Sequence, residues 1–348
     1  MRISRSRLRL NALCILCLST CAACACCRAQ ASFPAPTSQK LFDFHSGFWI
    51  NLHHFLYAAA LVFRASKSPQ AQTLNAPDEE ELGRLSPEER TTWNAATSYY
   101  AVSLVQRDLL FDEGMEEIKN RLEGAETSID LAGTQIPDDL KAALLSAAPI
   151  YRKHWWTRHD ADNRRWIADV QALVGRCGSS ISDSLVRIYE VPWPEYPVRV
   201  DAVAYANWAG AYTTIHPTRP TISTTDPANQ GTAALEIVFH ETSHGMMNKV
   251  MDGLDAAEKA ATPESSIGPI HSHRDLWHEI LFYTSGELVA GCIPGYAPYA
   301  DKNGLWMRAW SGPDRALIER DWKPHMSGAV PLSAALAKLV EDLVPGSR

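Results

Sequence analysis

His240-Glu241-Thr242-Ser243-His244 is the stretch of this 348-residue chain in which residue type and spacing together specify a chemistry. On an α-helix, residues four apart lie one above the other on one face. His240 and His244 can therefore aim two imidazole nitrogens at one point, as two corners of a tetrahedral zinc site require. Glu241 follows the first imidazole directly. From there its carboxylate can take a proton from a water that the metal has acidified. The surroundings read as a buried helix. Leu235, Val238 and Phe239 precede the motif, Met246, Met247 and Val250 follow it, and no Pro interrupts it. Polar side chains on such apolar ground are costly unless partnered.

The motif and its helical setting resemble the zincin metallopeptidase superfamily, over this short segment alone. Metzincins continue with a Gly and a third His, where this chain has Met247 and Val250. The pattern is closer to the gluzincin-like, thermolysin-like arrangement, in which a Glu on a later helix completes the metal site. The resemblance implies an α+β, mostly helical zincin-like catalytic domain. A small, mainly antiparallel sheet would lie beside the motif helix, its edge strand pairing with an extended peptide or protein substrate. It also implies Zn2+ as cofactor and Glu241 as general base.

The third ligand is open among His278, Glu279 and Glu287, on a helix expected over about Arg274 to Ala290. At 100° per residue, Glu279, Tyr283 and Glu287 share one strip that reads as solvated. His278 shares a semi-buried side with Phe282, Ser285 and Val289. A metal explains a buried imidazole better than a surface carboxylate, so His278 is preferred, with Glu279 as the alternative ligand. His271, His273 and His216 are further candidates. Tyr283 or Tyr212 could donate to a developing oxyanion, and Asp275 could orient a ligand imidazole.

Composition narrows the context. Hydrophobic residues make up 46%, enough for a sizeable core, and the eleven Trp and eleven Tyr suit aromatic packing. Lys and Arg form no stripe, so no nucleic-acid partner is expected. Arg2, Arg5, Arg7 and Arg9 precede an apolar run ending in Ala29-Gln30-Ala31, which reads as a secretory signal peptide cut after Ala31. Its removal takes five Arg and no acid, moving the formal charge from −7 to −12. Leu18-Ser19-Thr20-Cys21 loosely matches a lipoprotein signal and ranks second. Outside this leader only Cys177 and Cys292 remain, and a disulfide between them is expected in an exported protein.

Along the chain, a helix is expected from Leu41 to Ser66, whose Asp43, His45, His53 and His54 are candidates to line a cleft; it is too polar to span a membrane. An acidic loop at Ala76 to Gly83 precedes a capped helix from Ser86 to about Gln106. Further helices are expected at Asp112–Leu122, Pro137–Trp156 and Asp160–Val174, with a corner between the last two. Strands are expected at Leu185–Val191, Val198–Ala206, Ala211–His216 and Thr221–Thr224. Asp252–Pro269 and Pro294–Gly304 read as loops, Asp314–Asp321 and Leu332–Leu343 as helices. The division is thus 1–31 leader, 32–180 helical region and 181–348 metal-binding region, the last two forming one compact unit. The function expected is an exported zinc hydrolase, foremost a metallopeptidase. The alternatives are a non-catalytic protein stapled by a metal and a zinc hydrolase of a non-peptide substrate.

Overall fold

A short strand that crosses to its partner only after a long run of helices sets the architecture. The computed structural model describes residues 40–63, 74–261, 275–310 and 314–343. Strand β1 (Phe42–His45) pairs in parallel with β2 (Val198–Val203), Phe42 opposite Val198. Between them run α1 (Phe48–Phe63), α2 (Ala76–Gly83), α3 (Pro87–Ser103), α4 (Glu113–Gly124), α5 (Asp138–Tyr151) and α6 (Thr157–Tyr189). Then β3 (Ala211–Ile215) turns through His216 and Pro217 into β4 (Thr218–Ser223), which inserts between β2 and β3. The order is β1-β2-β4-β3, and only β3 and β4 are antiparallel. The fold is α+β and mostly helical, as expected, but the sheet is mixed rather than mainly antiparallel. Two of the three pairings are parallel: β1 meets β2 after many helices, and β4, turning back from β3, runs alongside β2.

Several local expectations change for identifiable reasons. Phe42–His45 is a strand, and α1 starts only at Phe48. Ala76–Gly83 is a helix, because Asn75 accepts from the Asp78 N–H and Pro77 sits in the first turn. No corner interrupts Arg152–Trp156; a π-helical turn carries α5 into α6, just past Pro149. Leu185–Val191 is not a strand. Ile181, Leu185 and Ile188 extend the buried helical stripe of Trp166, Val170, Leu173 and Cys177 to the end of α6. Residue 180 therefore lies inside a helix. Pro220 is within β4, yet the β2 ladder begins only at Thr221, so the missing N–H breaks no bond to β2. The 252–261 part of the expected loop belongs to α8 (Asn248–Ala261), and Tyr299–Lys302, expected as loop, is α10. The leader, the end of the first expected helix at residues 64–66, and residues 262–269 lie outside the described residues.

The described residues belong to one compact unit, Pro36–Arg348, with two apolar clusters. One lies between α1, α3 and α5, around Phe55, Trp93, Tyr151 and Trp155. The other lies between α6, the sheet, and α7 (Ala233–Ser243), α9 (Leu276–Cys292) and α14 (Leu332–Leu343). Cys177 of α6 and Cys292 of α9 form the expected disulfide, with their Cα atoms 6.0 Å apart. No helix among the described residues is long and apolar enough to cross a membrane.

Polar groups tie these layers together. On α4, Lys119 is 1% exposed; its Nζ lies 2.8 Å from Glu123 Oε1 and donates to Thr214 Oγ1 of β3 and the Arg219 carbonyl of β4. Asp78 of α2 is buried against His159 Nε2 at 2.9 Å, and also bonds Tyr205 and Arg158. Burial opposes its charge, but His159, Tyr205 and Arg158 outweigh that and hold its carboxyl below the usual range.

Two outcomes follow. Lys119→Ala removes the nearest cation from the buried Glu123 carboxylate, leaving Arg219 and Arg199 at 3.9 and 4.0 Å, and should cost on the order of 3 kcal/mol in urea unfolding, much of it recovered by also replacing Glu123 with Leu. Because the folded pKa of Asp78 lies below the unfolded value of about 3.9, its contribution is present above that pH and lost as pH falls through the folded value. The stability gap between wild type and Asp78→Asn should therefore be full at pH 7 and shrink below about pH 4.

Candidate metal centre

Every residue of α7 is buried, because it packs between the sheet on one side and α6 and α9 on others. His240 is on this helix. His244 opens a 3-10 turn, but its backbone stays right-handed (φ −54°, ψ −36°), so the four-residue relation survives. The two rings lie 5.0 Å apart. Gly245 lets this turn close on β4: a Cβ there would sit 2.3 Å from Thr218 Oγ1.

The first turn of α9 supplies His278. Its Nε2 is 3.2 Å from His240 Nε2, and its ring is 5.2 Å from both other imidazoles. One nitrogen from each of the three histidines lies within 4.8 Å of the other two. Corners of a tetrahedral centre with bonds of 2.0–2.1 Å are about 3.3 Å apart, which the 3.2 Å between the His240 and His278 nitrogens matches. Charge state fits as well. Burial, then His244 and His278, pushes His240 well below the ordinary histidine range; burial, then His278, takes His244 to about 3; burial takes His278 to about 4. All three are neutral imidazoles near pH 7, the form that binds a metal. The group can hold a metal ion. Trp277 stacks on His278 and edges His244, while Phe282 and Trp310 line another side.

Glu241 sits beside the group rather than in it, its Oε2 3.9 Å from His244 Nε2. The Thr213 hydroxyl lies 2.7 Å from that oxygen and 2.9 Å from the Glu241 carbonyl oxygen, fixing the carboxylate to β3. Burial pushes Glu241 up to about 7, against the lowering effect of Thr213.

The other candidates lie elsewhere. Glu279 is buried, and burial, then Asp314 and Asp275, pushes it up to about 8; its hydrogen bond goes to Asp314 of α12 (Asp314–Asp321). Tyr283 is buried as well, and Glu287 pairs with Lys323 at 2.9 Å. The strip expected to be solvated is thus covered, since α12 packs on α9. Tyr212 meets His54 Nε2 at 2.8 Å, on the face of β3 opposite Thr213. Asp275 is exposed; its carbonyl accepts from the His278 N–H. His216 is exposed in the β3–β4 turn, and His271 and His273 lie outside the described residues. His53 meets Tyr100, and His45 lies between Asp43 and Glu126, so none of the α1-region histidines joins the cluster. Thr213 and Tyr299 carried no signal in the sequence, and Phe282 is placed there only as a neighbour of His278, not against His240. Glu236 carried a signal: it is an acid four residues before His240 in an apolar helix.

No protein-family model matches the chain, and neither does any curated protein or solved structure. The His240, His244 and His278 side chains thus carry the site on their own geometry. Changing any one of them to Ala should weaken metal binding more than about 100-fold, beyond the 10–100-fold typical of losing an outer partner. Glu279→Gln should leave it intact. Metal content after dialysis against a chelator series measures both.

Proposed function

We propose that this chain is an exported zinc-dependent hydrolase, and foremost a metallopeptidase. The observation that carries this reading is the convergence of three neutral imidazoles with a buried glutamate at their side. A buried glutamate beside the three imidazoles and not among them has no task in a closed structural site, which favours a hydrolase over a metal-stapled binding protein. Imidazole suits zinc, copper, iron and nickel, and three histidines with one open position is an arrangement that catalytic zinc sites use. The disulfide between Cys177 and Cys292 suits an oxidising compartment and supports export.

The ion, when bound, supplies Lewis acidity, polarising a carbonyl and acidifying water. His240, His244 and His278 hold it. Glu241 holds the proton. Placed beside the three imidazoles and not among them, it is the group positioned to accept a proton and then release it to the leaving amine. Thr213 occupies one side of Oε2, limiting the carboxylate to one orientation. Trp277 and Trp310 wall two sides of the cluster.

Glu241→Gln keeps the size and the Thr213 contact but cannot take up a proton. It should retain zinc and lose on the order of 10²–10⁴ in hydrolysis of a denatured protein substrate. Zinc lost from Glu241→Gln as from the histidine variants would make Glu241 a ligand and end its role as base. A zinc-loaded wild type that cleaves no peptide bond would end the peptidase reading.

A further inference from the structure

Metal-binding imidazoles are ordinarily oriented by a hydrogen bond at the ring nitrogen that faces away from the metal. His240 is held differently. Its Nε2 faces His278, and its Nδ1 is buried with no hydrogen-bond partner among the described residues. What meets this ring is an aromatic face. The Phe282 ring lies 3.7 Å from the His240 ring, centroid to centroid, at an interplanar angle of 35°. Phe282 also stands four residues after His278 on α9, and its ring is 5.0 Å from that imidazole.

Phe282 is itself held in place. Tyr299 stacks on it at 5.9 Å and 23°, and Trp310 packs at 5.5 Å. The Tyr299 backbone N–H donates to Glu236 Oε2 at 2.9 Å, and the Tyr296 hydroxyl donates to the same oxygen at 2.7 Å. Glu236 is fully buried on α7, one turn before His240. Gly286 of α9 leaves room for this contact, since a Cβ there would lie 2.7 Å from Pro298 Cβ and 3.3 Å from Glu236 Oε1. A closed circuit results, from Glu236 through Tyr299 and Phe282 back to His240.

We propose that the Phe282 ring orients the His240 imidazole toward the metal in place of an outer hydrogen bond, with the Glu236–Tyr299 contact keeping Phe282 in position. The inference rests on reading the three histidines as a metal site. The torsion that turns an imidazole about its Cβ–Cγ bond is intrinsically broad. Without a bond at Nδ1, a flat neighbour at van der Waals distance is what narrows it. Phe282 and Glu236 are positioning residues: Phe282 has no donor atom, and Glu236 lies outside the group of three histidines, its Oε2 bonded to Tyr296 and Tyr299.

Cobalt(II) is the probe, added to chelator-stripped full chain and followed by visible absorption and by competition with a chelator. Wild type should take up one Co2+ with the intense visible bands of a low-coordinate site. Phe282→Leu should bind 10–100-fold more weakly, the range for losing an outer partner, and its bands should shift or weaken. Phe282→Tyr keeps the aromatic face and should stay near wild type in both readouts. Glu236→Leu should follow Phe282→Leu. If Phe282→Leu does not fold by circular dichroism, Phe282→Met fills the same space without a flat face and takes its place. A folded Phe282→Leu or Phe282→Met with wild-type affinity and spectrum overturns the positioning role and leaves the metal site standing. Wild type that takes up no Co2+ overturns the metal site and this inference with it.

Discussion

How closely α9 approaches α7 decides whether three histidines form a cluster or stay three separate side chains. The two helices meet along their lengths, with Gly286 clearing space for Pro298 and Glu236, and at the N-terminal turn of α9 this contact leaves His278 Nε2 3.2 Å from His240 Nε2. A shift of an ångström there would exceed the tolerance of a bond near 2.0–2.1 Å. The approach is held at the other end as well, where the disulfide links Cys292 of α9 to Cys177 of α6. Apolar burial around Val238, Ile280, Leu281 and Val289 fills the contact between these points.

Strand β3 links this site to the rest of the molecule. Successive side chains on a strand point to opposite faces. Thr213 therefore reaches Glu241, while Tyr212 and Thr214 face the other way, toward His54 and Lys119. The ionic group on α4 and the carboxylate beside the histidines bear on the two faces of the same five residues. Edge position makes this strand more dependent on such contacts, because β4 is its sole partner in the sheet among the described residues.

Periodicity made some of this legible and misled elsewhere. His240, Glu241 and His244 could be placed on one helix from spacing, and the apolar residues around them implied burial. The same logic assigned Glu279, Tyr283 and Glu287 to a solvated strip, because an uncharged pattern on one side of α9 looked like its only buried side. In fact α9 is covered on several sides, and Glu279 is buried against Asp314. The run Leu185–Val191 looked like a strand because its residues are β-branched or aliphatic, although Ile181, Leu185 and Ile188 also fit the stripe of α6. β1 was hidden for a different reason. Four residues carry too little periodicity to identify a strand whose partner lies more than 150 positions away.

What the sequence by itself determined is local: the pairing of His240 with His244, the place of Glu241 between them, the capped helix after Ser86, and the two cysteines left to pair. Each follows from 3.6 residues per turn or from simple chemical type. What tertiary structure decided is everything that depends on separation along the chain. It brought His278 to His240 across 38 residues, turned Glu279 away, set Thr213 on Glu241, and laid Phe282 against an imidazole whose Nδ1 has no partner among the described residues. No spacing rule reaches that far, because the distance between residues on different helices is set by which side chains fill the space between them.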